Sequence, residues 1–202
     1  YTFSKLYGTF VSLKVNGVEQ LASRMQLSTF RAPTDNERTD KEMWCGPKFL
    51  GNHSENMDYM FNKIYSCEII NGQIKAVGSL AGVSRMPYLT YETVVTIAND
   101  GRIDFDVNAN TREGCCWIQR FGYEFALAKE NASFKYFGKG PGENYCDLQR
   151  YASYGMWESK AENEYFSYIM PQEHGNHTGV TYLELDNTLT FVANQPFECN
   201  VS

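Results

Sequence analysis

Three short polar clusters contain most of the side chains whose types could carry chemistry. They read FRAPTDNERTD at residues 30–40, GKGPGENYCD at 138–147 and MPQEHGNH at 170–177. Each cluster combines proline or glycine with carboxylates and amides, which exchange hydrogen bonds with hydroxyl groups in fixed directions. If the loops that carry the clusters meet, they form a polar surface suited to sugar hydroxyls.

Carboxylates and histidines in the second and third clusters suggest acid–base chemistry. Glu143 and Glu173 are candidates for the carboxylate pair of a glycosidase, whose two carboxyl groups must lie about 5–10 Å apart. His174 and His177 are candidates for a general acid or base. The sequence contains no identifiable pairing of serine or cysteine with histidine for nucleophilic catalysis.

The same clusters also have a purely structural interpretation. Asp35, Asn36, Asn144 and Asn176 are typical of loops in which a short polar side chain bonds the nearby backbone. Arg31 would then pair with one of the acids. The residue types alone leave both interpretations open.

Several ligand classes are excluded by composition and spacing. Gly138, Gly140 and Gly142 do not match a dinucleotide fingerprint, and Glu143 and Asp147 would repel a phosphate. A formal net charge of -6 and a pI near 5.1 argue against nucleic acid and against an anionic membrane surface. No apolar run is long enough to span a bilayer.

Six cysteines are spread through the chain without a metal-binding pattern. They form no Cys-x-x-Cys pair, and Cys115 and Cys116 would point to opposite faces of a strand. We therefore expect no metal site, no cofactor in this segment, and buried, reduced thiols. Reduced thiols favour a cytoplasmic location. A periplasmic or secreted protein stays open, because the chain begins with Tyr1 and we expect its native N-terminus to be missing.

Turn signals between β-type segments predict antiparallel hairpins. Asn16-Gly17, Asn71-Gly72 and Asp100-Gly101 each lie between two such segments, which is the strongest short-range hairpin signal. After the last of these pairs, apolar and polar residues alternate over residues 103–108, the pattern of a strand with one buried face.

Helical patterns are confined to DKEMWCGPKFL at 40–50 and YASYGMWESKA at 151–161. Strands without intervening helices predict an all-β antiparallel sandwich or barrel. The 202 residues contain no linker, repeat or low-complexity stretch, so we predict a single domain over 1–202.

The three clusters resemble signatures of the C-terminal, small-chain domain of β-galactosidases of glycoside hydrolase family 2. Residues 30–38 are similar to its Arg-Ala-Pro-Thr-Asp-Asn-Asp signature, with Glu37 in place of the last aspartate. Residues 136–147 are similar to its Gly-x-Gly-Pro-x-Glu-Asn-Tyr-x-Asp signature. Residues 168–185 are similar to its Pro-Gln-Glu-Asn-Gly-Asn-Arg segment, in which His174 and His177 replace the asparagine and the arginine. The opening segment is similar to the family's first hairpin.

This resemblance implies a β-supersandwich fold, shared in outline with galactose mutarotases. It implies a parent protein that hydrolyses terminal β-D-galactosides with retention of configuration. The two catalytic glutamates of the family lie in an upstream barrel domain, so we expect no catalytic residue in this chain. The family's closing stretch lends one tryptophan to the galactose site, and we expect that stretch to be missing beyond residue 202.

The expected function is that of a non-catalytic domain that stabilises and completes the multidomain enzyme, with the other domains of the parent as partners. An independent carbohydrate-binding module is one alternative, marked by exposed tyrosine or tryptophan beside the acids. A mutarotase-like enzyme with a His/Glu pair is another. A galactoside ligand and a homo-oligomer stay open. The motif or carbohydrate-binding residues are Arg31, Asp35, Asn36, Glu143, Asn144, Glu173, His174 and Asn176.

Overall fold

Antiparallel strands form almost all of the regular structure in the computed structural model, which describes residues 1–45 and 54–202. Two compact units divide the chain, Tyr1–Ala126 and Leu127–Ser202. The strands are β1 Thr2–Ser4, β2 Thr9–Ser12, β3 Lys14–Val15, β4 Val18–Glu19, β5 Gln26–Ser28, β6 Met60–Ile70, β7 Gln73–Gly82, β8 Leu89–Ile97, β9 Ile103–Thr111, β10 Gly122–Glu124, β11 Ser133–Gly140, β12 Ser153–Lys160, β13 Asn176–Leu185 and β14 Leu189–Asn200.

Helices among the described residues are short. They are α1 at Lys41–Trp44 and the 3-10 helices Asp35–Glu37, Met57–Tyr59 and Ala161–Asn163. No helix within 1–45 or 54–202 is long and apolar enough to cross a membrane. The helix predicted over 40–50 is confirmed at α1, and its residues 46–50 lie outside the described part of the chain.

The first unit is built on a four-stranded antiparallel meander in the order β6-β7-β8-β9. Along β8 the side chains of Leu89, Tyr91, Thr93 and Val95 are buried, while their neighbours are half-buried or exposed. β9 shows the predicted alternation, because its apolar residues are half-buried and the polar residues between them are exposed. This period of two is what a strand with one face toward a core requires.

Two-residue turns close the hairpins at two of the predicted positions. Asn16-Gly17 connects β3 to β4, and Asn71-Gly72 connects β6 to β7. All four residues have positive φ, which matches the right-handed twist of the flanking strands. Asp100-Gly101 lies in a longer connection between β8 and β9. The three predicted hairpins are confirmed, and so is the all-β antiparallel class.

The core of the first unit is dominated by large side chains. Trp44, the last residue of α1, is fully buried, and its indole Nε1 donates to the carbonyl of Trp117 at 2.7 Å. The two indole rings meet edge to face with centroids 4.3 Å apart. Tyr88 and Leu80 belong to the same cluster. This packing holds α1 in place, although α1 is too short to be stable by itself.

The second unit is a four-stranded antiparallel sheet in the order β12-β11-β13-β14. On β11, Phe134 and Tyr136 lie on the buried face, while Lys135 and Phe137 lie on the other face. The predicted helix over 151–161 is wrong, because Ser153–Lys160 of that stretch form β12, which pairs with β11 along its whole length. Exposure along β12 alternates with a period of two, so pairing with β11 prevails over any local helical preference.

Candidate functional site

Asn144 and Asn176 join the second and third polar clusters through reciprocal hydrogen bonds. The backbone N–H of Asn144 donates to the carbonyl of Asn176 at 2.6 Å. The side-chain Nδ2 of Asn176 donates to the carbonyl of Asn144 at 3.0 Å. Both residues are buried. The loop after β11 and the first residue of β13 therefore hold each other in a fixed register.

The Asn144 side chain is saturated by the chain's own groups. Its Nδ2 donates to the carbonyls of Lys139 at 2.9 Å and Gly142 at 3.1 Å. Its Oδ1 accepts the backbone N–H of Thr178 at 2.9 Å and also the Thr178 hydroxyl. An amide has two donors and one acceptor oxygen with two lone pairs, so each of its sites is used. Asn144 has no capacity left for a ligand.

Glu143 points its carboxylate into the same buried region. It is 4% exposed, and its Oε2 accepts the backbone N–H of Gly175 at 2.7 Å and the hydroxyl of Tyr145 at 3.4 Å. The hydroxyl of Tyr168 donates to its Oε1. Burial and the adjacent Glu143 raise the pKa of Tyr168 to about 12. The phenol therefore stays protonated and remains a donor to the carboxylate at neutral pH.

His177 is the centre of a second buried group of polar side chains. It is fully buried, with Nδ1 2.9 Å from the Tyr136 hydroxyl and Nε2 3.0 Å from a carboxylate oxygen of Glu164. Glu164 also accepts a hydrogen bond from the Ser159 hydroxyl. Burial, followed by the charge of Glu164, raises the pKa of Tyr136. Both imidazole nitrogens are engaged within the unit, so the ring cannot exchange a proton with a sugar in this conformation.

Glu173 and His174 lie at the less buried edge of this region. The side chain of Asn200 donates to Glu173 Oε1 at 3.1 Å and also to the carbonyl of His174. His174 Nδ1 lies 3.1 Å from the carbonyl of Glu164, and its ring meets Tyr165 edge to face. These contacts tie the loop that precedes β13 to the end of β14.

The first polar cluster, in the first unit, is organised around an ion pair. The guanidinium of Arg31 donates to both oxygens of Glu37 at 2.7 Å, and the backbone N–H of Thr34 donates to Glu37 at 2.8 Å. Burial alone would raise the pKa of Glu37, but these hydrogen bonds and the charge of Arg31 outweigh it and lower the pKa. Asp35 pairs with Arg38 at the surface, and Asn36 is exposed.

The structure thus joins Glu143, Asn144 and Asn176 through direct bonds and places Glu173 and His174 at their margin. Arg31, Asp35 and Asn36 belong to the first unit, so one network that includes all three clusters stays a prediction. Within the described residues, no group of three or more His, Cys, Asp or Glu side chains is arranged to hold a metal ion.

Comparison with known proteins identifies the family to which this chain belongs. The family model described as beta galactosidase small chain matches residues 1–202. The chain belongs to the β-galactosidase small-chain family.

Individual relatives show how much of a β-galactosidase the matched region represents. A β-galactosidase of Actinobacillus pleuropneumoniae is 30% identical over 202 residues, covering 100% of this chain and 20% of the relative. One from Streptococcus thermophilus is 34% identical, covering 96% and 19%. One from Kluyveromyces lactis is 31% identical, covering 92% and 18%. The chain therefore spans about a fifth of the length of the relatives that it matches.

Several residues that bond the second and third clusters within the second unit were not identified as site residues from the sequence. Thr178 and Tyr136 lie inside or beside the signature segments, so their position carried a signal. Glu164 lies outside every cluster and reaches His177 only because the chain turns after β12. Glu198 accepts a hydrogen bond from Asn176 at 3.1 Å across the β13–β14 pair. Such contacts depend on strand pairing, which no local pattern reveals.

Proposed function

We propose that this chain is a non-catalytic domain of a β-galactosidase that stabilises and completes the multidomain enzyme. The burial of its signature residues carries the proposal, since Glu143, Asn144 and Asn176 are 4%, 0% and 2% exposed. Their polar atoms bond the chain's own backbone and side chains. Groups used in this way hold loops in place and have little surface to offer a sugar.

An apolar surface beside this network supports a docking role for the domain. Ile169 is 99% exposed, and Tyr151, Tyr165, Phe166 and Met170 are also exposed. Tyr168, in the same loop, is fixed by its hydrogen bond to Glu143. Exposed apolar groups of this density mark surfaces that bind another protein segment. We propose that the remaining domains of the parent enzyme cover this surface.

The parent activity follows from the same proposal. We propose that the whole enzyme hydrolyses terminal β-D-galactosides, as the names of the relatives indicate, with its catalytic carboxylates outside this chain. The domain would need no cofactor. All six cysteines of the chain are thiols, which supports a reducing, cytoplasmic compartment.

A carbohydrate-binding module is the second candidate function, favoured by one observation. Tyr151 and Tyr165 are exposed in the region of Glu143 and His174, as a sugar-stacking surface requires. The aliphatic side chains of Ile169 and Met170 in the same surface favour a protein partner instead. A mutarotase-like site has less support, because His177 and Glu143 are both buried and bonded.

The decisive experiment combines the isolated chain and the full-length parent enzyme. A Glu143→Gln substitution in the parent should lower the midpoint of thermal inactivation by several degrees and leave KM unchanged, because it weakens a supporting loop. Glu130→Gln, an exposed change in the same unit, serves as the control. Unchanged stability and activity in the Glu143→Gln parent would refute the proposal.

The isolated chain is tested by NMR with lactose and with galactose. We expect a folded spectrum with no turnover of lactose and no acceleration of anomer exchange. Localised shifts around Glu143 and Tyr151 would favour the carbohydrate-binding module. Growth of free galactose, or fast exchange of its anomers, would establish an enzyme.

A further inference from the structure

The outer face of the β12-β11-β13-β14 sheet carries an apolar row that crosses all four strands. Phe137 of β11 pairs with Met156 of β12 and with Tyr182 of β13, and Tyr182 pairs with Val192 of β14. Met156 and Val192 are 55% and 73% exposed, and Phe137 is 41% exposed. Neighbouring strands lie about 4.8 Å apart, so the row is about 15 Å long and one side chain wide.

Tyr154 widens this row into an aromatic platform. Its side chain lies over Gly179 of β13, where a Cβ would come within 2.6 Å of the phenol oxygen and 3.1 Å of the ring. The rings of Tyr154 and Phe137 have centroids 6.5 Å apart and planes inclined by only 31°. Gly179 therefore leaves room for one aromatic ring to lie flat beside another on an exposed face.

A polar groove of about 340 Å³ adjoins the platform. Its charged lining residues are Lys135, Glu158, Lys160, Glu184 and Asp186. Lys135 pairs with Glu158, and Asp186 pairs with Lys129. The lining carries two cations and three anions, and the ion pairs of Glu158 with Lys135 and of Asp186 with Lys129 compensate two of the anions, so the groove has no large excess of either sign. Charged groups of both signs offer donors and acceptors to neutral hydroxyls.

We propose that this face binds a neutral oligosaccharide, with sugar rings stacked on Tyr154 and Phe137 and hydroxyl groups in the Lys135/Glu158 groove. Aromatic side chains present an apolar face to the C–H side of a pyranose. A stable protein partner would bury about 800 Å² on each side. This face offers one apolar row with Tyr154 beside it, bordered by charged side chains. The site is separate from the signature loops.

The test is a titration of the full chain with a neutral β-linked galactotetraose, followed by NMR shifts and calorimetry. We expect weak binding that Phe137→Ala and Tyr154→Ala each reduce at least fivefold. Tyr154→Phe keeps the ring and should keep the affinity within twofold. Phe61→Ala, an exposed aromatic residue on β6 of the first unit, is the matched control and should change nothing. Both alanine sites are exposed, and circular dichroism verifies that the variants remain folded.

Three outcomes would overturn the proposal: no binding by the wild type, binding that survives both alanine changes, or tighter binding of an acidic oligosaccharide of the same length. Sedimentation provides a fourth, since a wild-type dimer that Phe137→Ala dissociates would assign this face to a second copy. The readout is binding and not turnover. A negative result would therefore leave the supporting role in the parent enzyme intact.

Discussion

At the scale of single residues, Asn144 is the strongest test of the buried network. Replacing it with alanine leaves two carbonyls and the Thr178 donors without their partner in a buried region. Since each unsatisfied buried group costs about 1–3 kcal/mol, we expect Asn144→Ala to reduce the free energy of unfolding by at least 3 kcal/mol. Urea denaturation measures the free energy of unfolding of the variant and of the wild type. Asn194→Ala, at an exposed position of β14, should change it by less than about 0.5 kcal/mol.

Glu37 makes the stability of the first unit depend on pH. Its pKa in the folded state is below its usual value of 4.5, so folding favours the ionised form. Its stabilising contribution is complete above pH 4.5 and is lost as the pH falls through the lowered folded pKa. We expect Glu37→Gln to cost about 1–2 kcal/mol at pH 7 and progressively less below pH 4.5.

The pH dependence of Glu37→Gln is read from unfolding free energies between pH 7 and pH 3. Glu42→Gln removes a carboxylate from an exposed position nearby and supplies the baseline. A Glu37→Gln difference that stayed constant down to pH 3 would mean that the Arg31 pair does not lower the pKa.

The sequence anticipated the residue types of the site better than their contacts. Asn144 and Asn176 were recognised as loop-bonding residues, and both do bond the backbone. Arg31 was expected to pair with an acid, and it pairs with Glu37. The partnership of His177 with Tyr136 and Glu164 was not foreseen. These partners are separated by 41 and 13 residues in sequence. The pairing of β11 with β13 brings Tyr136 to His177, and the turn after β12 brings Glu164.

At the scale of elements, close backbone packing at the end of β7 gives a sharp prediction. A Cβ on Gly82 would lie 1.9 Å from the carbonyl oxygen of Glu55, which is backbone and cannot rotate away. We expect Gly82→Ala to destabilise the chain by about 3 kcal/mol. Gly122→Ala in β10 has open space around the new methyl group and should be tolerated. Thermal unfolding, monitored by circular dichroism, gives the unfolding midpoint of each variant. Equal midpoints for Gly82→Ala and Gly122→Ala would disprove the clash.

Local chemistry explains why some elements were predictable. The positions of the hairpin turns were predicted correctly because Asn-Gly pairs adopt positive φ at low cost. This conformation fixes both the turn and the register of the two strands. β12 was mistaken for a helix because its eight residues show no clean apolar alternation. Its strand conformation comes from pairing with β11, a partner earlier in the chain.

At the scale of the whole molecule, the predicted single domain can be tested by cooperativity. If residues 1–202 unfold as one domain, the amides of β7 and β8 should lose protection at the same urea concentration as those of β11 and β13. Hydrogen exchange with peptide-level mass spectrometry measures both sets in one sample. Protection lost at two clearly different urea concentrations would show two independently stable domains, divided near residues 126 and 127.

The turn between β6 and β7 also has a practical consequence for work on this protein. Asn71 and Gly72 are exposed at the tip of a long hairpin, and no atom outside residues 71–73 lies within 4 Å of the position of a Gly72 Cβ. Exposed loop tips of this kind accept added sequence without disturbing a core. An affinity tag or a fluorophore-bearing cysteine inserted there would report on the chain while leaving the core of the first unit intact.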